Sequence, residues 1–239
     1  MAKQGVRLIN RWQKLICALL FSTLAMASFA ADNQLSKQEK EDGWQLLFNG
    51  KDMSQWRNFK QDGINPKWII DKNSIYLSEG GGGDLLTKQV YQNFELTLEW
   101  KISSAGNSGI FVLADELGSQ IYSHGIEVQI IDNQRHADNK IDSHLSGSLY
   151  DIVASPTASH RVAGEWNKVD IRLHDSVLTV WQNGVETADV VVGSDKWNVL
   201  VANSKFSSWV GFAQASKGHI GLQDHSDPVW FKNIKLKAL

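Results

Sequence analysis

The segment 125–132, GIEVQIID, places a carboxylate and an amide where they can act together. Side chains alternate along an extended strand, so Ile126, Val128 and Ile130 share one face while Glu127 and Gln129 project from the other. If the apolar face enters a core, the second face is either solvated surface or a site. A polar cluster follows: Asp132, Asn133, His136, Asp138, Asp142, His144, a Ser-Gly-Ser turn at 146–148, then Tyr150 and Asp151. The His136/Asp138 and Asp142/His144 pairs carry donors that suit divalent cations. Neither pair follows a specific metal spacing and a solvated polar loop has the same composition, so no metal site is expected.

Near the C-terminus, GHIGLQDHSDPVWFK (218–232) sets Gln223, Asp224 and His225 at the end of a strand-like run. Imidazole is well matched to proton transfer near neutral pH, which makes His225 beside Asp224 an acid–base candidate; the alternative is a histidine that satisfies a turn. In GNSG (106–109), Asn107 can bond a ligand hydroxyl or its own backbone. No serine has the Gly-x-Ser-x-Gly context of a hydrolase elbow. The glycine run at 80–83 lacks the Lys-Ser/Thr and helix of a phosphate-binding loop.

The elements that must position these groups are short strands. In NFELTLEWK (93–101), Phe94, Leu96, Leu98 and Trp100 alternate with polar residues, the period-two pattern of a half-buried strand. Similar runs recur at 44–48, 67–71, 74–77, 108–113, 125–131, 168–173, 176–182, 218–223 and 229–237. Asn183 and Gly184 mark a tight hairpin, since both tolerate positive φ. One short helix is expected over 194–206, where Ser194 and Asp195 give a cap signal and Trp197, Leu200 and Val201 fall on one face. The pattern predicts an all-β, two-sheet antiparallel sandwich without repeats or a domain linker. Trp44, Trp68, Trp100 and Trp230 lie in apolar runs and are expected in the core, with Trp181 and Trp209 exposed.

Composition narrows the setting. Of 239 residues, 42% are hydrophobic and 21% charged, which excludes disordered and collagen-like classes. Lys3, Arg7, Arg11 and Lys14 precede an apolar run at 15–26 and the small-residue pattern ASFA at 27–30, the signature of a cleaved secretory signal over 1–30. The run is too short for a permanent membrane anchor. The sole cysteine, Cys17, follows Ile16, where lipid attachment needs a small residue. A mature chain without cysteine is expected in a periplasm or secreted. It keeps 20 basic against 26 acidic residues, an acidic balance that argues against nucleic acid as a partner. Residues 31–42, polar and charged, are expected to form a mobile leader ahead of a single domain over 43–239. Ten tryptophans in an acidic exported sandwich point to a carbohydrate ligand, whose apolar sugar faces stack on aromatic rings.

Several strings, in order from about residue 43 to the end, resemble the bacterial 3-keto-disaccharide hydrolase family: LFNGKDMSQW (47–56), GDLLT (83–87), GNSGIF (106–111), EVQIIDN (127–133), SGSLYD (146–151), GEWN (164–167), WQNG (181–184), SKF (204–206) and GHIGLQDHSDPVWFKNIKLKAL (218–239). The resemblance implies a concanavalin A-like jelly roll that cleaves glycosides oxidised to a ketone at C3, with no cofactor. A C3 ketone acidifies the C2 hydrogen, so a base can start elimination of the C1 oxygen, after which water adds. On that reading Glu127 is the base or substrate anchor, His225 its acid or base partner, and Tyr150 and His144 possible donors to the enolate or leaving oxygen. Asp84, Asn107, Gln129, Asp132 and Lys205 would bind hydroxyls or the keto oxygen, with Trp181 beside the sugar. Members often carry an aromatic–Arg pair where this chain has Val112 and Leu113.

Two rival readings share the fold. A conventional glycosidase needs two carboxylates flanking the bond, and Glu127, Gln129 and Asp132 match the acidic motif of laminarinase-type jelly rolls only faintly. A non-catalytic carbohydrate-binding module needs no carboxylate pair at all.

Overall fold

The computed structural model describes residues 31–239; the expected export signal at 1–30 lies outside the described residues. The described residues form thirteen strands: β1 (Gln45–Leu46), β2 (Trp56–Asn58), β3 (Trp68–Asp71), β4 (Ser74–Leu77), β5 (Leu85–Thr87), β6 (Phe94–Ile102), β7 (Asn107–Ala114), β8 (Ile126–Ile131), β9 (Asn167–His174), β10 (Val177–Gln182), β11 (Val185–Val191), β12 (His219–Leu222) and β13 (Val229–Ala238). They build two antiparallel sheets, one ordered β11-β10-β9-β6-β13-β4-β3 with β1 beside β13, the other β2-β5-β12-β7-β8. This is the two-sheet antiparallel sandwich that the strand pattern predicts, in keeping with the jelly roll that the resemblance implies.

Alternation sets the faces. On β6, Phe94, Leu96, Leu98, Trp100 and Ile102 are buried between the sheets while the intervening residues are half-buried. Burial of each such apolar side chain stabilises the sandwich by about 1.5–3 kcal/mol. Asn183 and Gly184, at φ 53° and 80°, turn β10 into β11 as the hairpin signal requires. A helix α2 (Asp195–Ala202) begins at Ser194, whose hydroxyl accepts from the Trp197 amide. It buries Trp197 and ends four residues before the predicted limit, where a 3₁₀ turn (Lys205–Ser208) takes over.

Two expectations are corrected. Residues 31–42 dock on the fold: Asn33 is buried, its side chain donating to the Asn73 carbonyl (2.8 Å) and accepting from the Asn233 amide (2.8 Å). A short helix α1 (Lys37–Glu41) follows, closed by a Ser36/Glu39 capping box, and Glu39 also receives the Lys235 ammonium at 2.8 Å. Polar composition thus reflects a strap held by hydrogen bonds. Trp44 and Trp230 are only half-buried. Trp230 alternates with the core residues Val229 and Phe231, so it points outward and stacks on Tyr76 at 4.6 Å. Trp68 and Trp100 are core, as expected. Among the described residues no helix is long and apolar enough to cross a membrane.

Candidate active site

On the outer face of the five-stranded sheet lies a cleft of about 630 Å³, lined by Asn107, Tyr122, Glu127, Gln129, His136, Asp138, Tyr150, Lys205, Trp209, Gln223 and His225. The 147–150 segment pairs along the free edge of β8. Gln129 donates its amide to Ser148 and accepts from Gly147, and Tyr150 donates its amide to the Glu127 carbonyl at 3.0 Å. Glu127 and Gln129 are 8% and 1% exposed, which removes the reading of a solvated face. The pairing also sets Tyr150 beside Glu127.

The GNSG motif follows from this packing. Gly109 lies where any Cβ would overlap the Glu127 carboxylate, so only glycine leaves room for it. Ser108 donates to the Gln223 carbonyl at 2.8 Å and the Gln223 amide donates to Gly109, tying β12 to β7. Asn107 and Gln223 are both more than nine-tenths buried, and Asn107 Oδ1 and Gln223 Oε1 have no partner among the described residues. In a cleft, such acceptors suit ligand hydroxyls.

Glu127 carries the least ordinary charge. No hydrogen bond to its carboxylate is formed by the described residues, and burial raises its pKa to about 8. The nearby Lys205 charge pulls it down, while Asp84 and Asp138 push it up. Burial in turn lowers the Lys205 pKa, against the carboxylates around it. The Lys205 ammonium sits 4.0 Å from the Tyr150 ring centroid and 5.9 Å from that of Trp209. Among the described residues it is the one Lys or Arg lining the cleft.

A second layer fixes the wall. His144 places Nδ1 2.8 Å from the Asp138 carboxylate and Nε2 2.9 Å from that of Asp151, while the Tyr150 hydroxyl donates to Asp138 at 2.8 Å and the Lys205 amide to Asp151 at 2.6 Å. Burial alone would raise the Asp138 pKa, yet the His144 and Tyr150 hydrogen bonds hold it below the usual carboxylate range. Burial and the Asp138 bond raise the Tyr150 pKa, so its phenol stays protonated.

Some expected site residues lie elsewhere. His144 is buried with both ring nitrogens engaged, so it clamps Asp138 to Asp151 and touches no ligand. Asp132 accepts from the Ala105 amide (2.7 Å) and the Gln134 amide (3.0 Å), stabilising a turn. Asp84 is absent from the cleft lining and accepts from the Asp224 amide at 2.9 Å; burial raises its pKa to about 6. Trp181 faces out from the eight-stranded sheet beside Trp44 and Arg172, away from the cleft. Asp224 serves the 80–83 loop by accepting from Gly81 and Gly83, and the carboxylate near His225 is Asp227, 3.9 Å away. His136, Asp138, Tyr122 and Trp209 line the cleft although no site role was assigned to them from sequence. Val112 and Leu113, 0% and 3% exposed, belong to the core.

His136, His225 and Asp227 bring three potential metal-ligand atoms within 4.8 Å of one another. The hydrogen-bond polarity does not suit a cation. The Asp138 amide donates to His136 Nδ1 at 3.1 Å, so a metal on the far nitrogen would leave the ring without its usual second N–H donor.

Residues 43–237 match the sequence profile of a family described as the 3-keto-alpha-glucoside-1,2-lyase-like domain. The chain is 34% identical over 229 residues to a 3-keto-disaccharide hydrolase of Bacteroides thetaiotaomicron, covering 83% of this chain and 79% of that protein. A crystal structure from Parabacteroides distasonis ATCC 8503, provisionally named a glycosyl hydrolase, superposes with a TM-score of 0.81 at 30% identity, covering 87% of this chain and all of that one. A second, of the same provisional name and organism, gives 0.66 at 25% identity, covering 82% and 99%.

Proposed function

From the premise that the chain belongs to the 3-keto-alpha-glucoside-1,2-lyase-like family, we propose that it cleaves 3-keto-glycosides by elimination followed by hydration. The observation that carries this reading is Glu127: a buried carboxylate facing a polar cleft, free of hydrogen-bond partners among the described residues, with its pKa raised to about 8. A base for an acidified C–H works best with a pKa near the operating pH. Glu127 takes the C2 proton, the electron pair moves into the C3 carbonyl as an enolate, and its return expels the C1 oxygen, which is protonated by His225. Water then adds hydroxide to C1 and a proton to C2, giving the 3-keto sugar. Asn107, Gln129, Gln223 and Lys205 hold hydroxyls, and Trp209 with Tyr122 offers an aromatic wall. Action in a periplasm or outside the cell is part of the proposal, supported by the pattern of residues 1–30.

Ordinary glycoside hydrolysis needs two working carboxyl groups. Asp138 is the other acid lining the cleft, and its oxygens are taken by His144 and Tyr150. The test is to incubate the mature protein in deuterated water with a 3-keto-disaccharide and, separately, its unoxidised parent, following products by NMR. Cleavage of the keto sugar alone, with deuterium at C2, is expected. Binding without cleavage would retire the enzyme in favour of a carbohydrate-binding module, and cleavage of the parent would favour a conventional glycosidase.

A further inference from the structure

We infer that His136 is a catalytic hydrogen-bond donor, held as the neutral Nε2–H tautomer, that stabilises the oxyanion formed on the substrate's C3 oxygen. This rests on the keto-glycoside reading above; of the donors expected for that oxygen, the Tyr150 hydroxyl and the His144 ring are engaged by Asp138 and Asp151. The tautomer follows from the loop after β8. The Asp132 carboxylate caps the turn by accepting from Gln134, the Asp132 carbonyl receives the His136 amide at 3.1 Å, and the Asp138 amide donates to His136 Nδ1 at 3.1 Å. A backbone N–H can only donate, so Nδ1 presents its lone pair and the proton of the neutral ring resides on Nε2. The Asp138 amide is held in place, because the side chain of the same residue is gripped by His144 and Tyr150 at 2.8 Å.

Nε2 has no hydrogen-bond partner among the described residues, and the ring lines the cleft together with Glu127 and Lys205. Its neighbours divide the remaining tasks. His225 meets His136 edge-on, with ring centroids 6.1 Å apart, at the more exposed rim where a leaving sugar would depart. The Asn107 Oδ1 and Gln223 Oε1 atoms are unpaired acceptors, which suit substrate hydroxyls and not an oxyanion. His136 is thus a fixed donor with a free N–H. When Glu127 removes the C2 proton, negative charge develops on O3, and a donor aimed there beforehand pays no reorganisation during the step. A neutral ring suits this task because it donates without first losing its proton to the enolate.

The test compares wild type with His136→Ala and His136→Gln on two 3-keto-glucosides, one with a sugar leaving group and one with 4-nitrophenol. Losing an oxyanion donor reduces kcat by about 100- to 1000-fold. That loss is expected for His136→Ala on both substrates, with KM within about threefold and the C2-deuterium isotope effect retained. His136→Gln, which keeps a side-chain N–H, is expected to recover at least about tenfold over alanine. If the nitrophenyl substrate alone regained near wild-type turnover in His136→Ala, the residue would be the leaving-group acid and the inference would fall. It would fall equally if chelation silenced the wild type, a divalent ion restored it, and His136→Ala no longer bound that ion. Wild type that cleaves neither keto substrate would overturn the keto-glycoside reading and this role with it.

Discussion

Replacing Glu127 by glutamine should make the protein more stable at alkaline pH while removing its activity. The carboxyl moves from an ordinary value of 4.5 to about 8 on burial. At about 1.4 kcal/mol per pKa unit, that shift corresponds to at most roughly 5 kcal/mol of differential stability between the protonated and ionised forms. Water drawn into the cleft will ease the burden, so about 2–5 kcal/mol is the working range. The folded pKa lies above the unfolded one, hence the native state holds an extra proton. The stabilising contribution of that proton is full below pH 4.5 and is lost as pH rises through 8. Glutamine carries no charge at any of these values, and it fills the same space over Gly109. The melting temperature of Glu127→Gln should therefore match wild type near pH 5 and exceed it near pH 9. For a chain of this size the gap is roughly 4–20 °C at about 2–4 °C per kcal/mol. Scanning calorimetry of both proteins at the two pH values measures it directly. On a 3-keto-disaccharide, wild-type kcat/KM should climb with pH along a limb centred near 8, and the variant should lose about 10²–10⁴-fold. A melting gap that is the same at pH 5 and pH 9 would show that Glu127 is not a buried, proton-holding carboxyl.

Charges around Glu127 should move the same limb in opposite directions: Lys205→Met shifts it above 8 by removing the cation that pulls the pKa down, and Asp84→Asn shifts it below by removing an anion that pushes it up. Shifts of the same sign in the two pH–rate profiles would contradict the placement. Trp209→Ala should raise KM for a keto-disaccharide by about tenfold, equivalent to about 1.4 kcal/mol of lost binding, whereas Trp181→Ala on the opposite sheet should leave KM unchanged. Asn33→Ala should destabilise the fold by about 1–3 kcal/mol in urea titration, because the Asn73 carbonyl and Asn233 amide lose their partner. An unchanged midpoint would restore the mobile leader.

What could be read from sequence were features governed by period. Alternation on β8 separates Ile126, Val128 and Ile130 from Glu127 and Gln129, and the Asn183–Gly184 pair fixes the hairpin. The same alternation would have placed Trp230 outside, between Val229 and Phe231, had the run been read by parity instead of by its apolar content. Trp181 failed for a different reason. Parity exposes it, but no local pattern states that β10 joins the eight-stranded sheet while the cleft lies on the five-stranded one. Asp84, Asp132 and Asp224 look like ligands in sequence because carboxylates that accept from backbone amides have the same composition as carboxylates that await a substrate. His144 is the sharpest instance: it lies in the right loop, yet two carboxylates from six and seven residues away consume both nitrogens. The distinction depends on partners, which only the folded chain supplies.

The Val112 and Leu113 pair bears on how the cleft balances its charge. Both side chains pack in the core, so the positions where the resemblance expects an aromatic–Arg pair do not face the cleft. The cation that remains is Lys205, reached from the 3₁₀ turn after α2 and held over Tyr150. Its partner in charge is not Glu127 at neutral pH, because a carboxyl titrating near 8 is then mostly protonated. Asp138, its pKa held below the usual carboxylate range, and Asp151 lie beside Lys205, and their charges pull the Lys205 pKa up against burial. On the proposed mechanism, ionising Glu127 adds one anion to the cleft, and removing a proton from C2 would return that carboxyl to its neutral form while placing the charge on the substrate. Such a step would transfer a charge the site holds poorly to an oxygen for which His136 is the proposed donor, which would favour proton abstraction over resting in the ionised state.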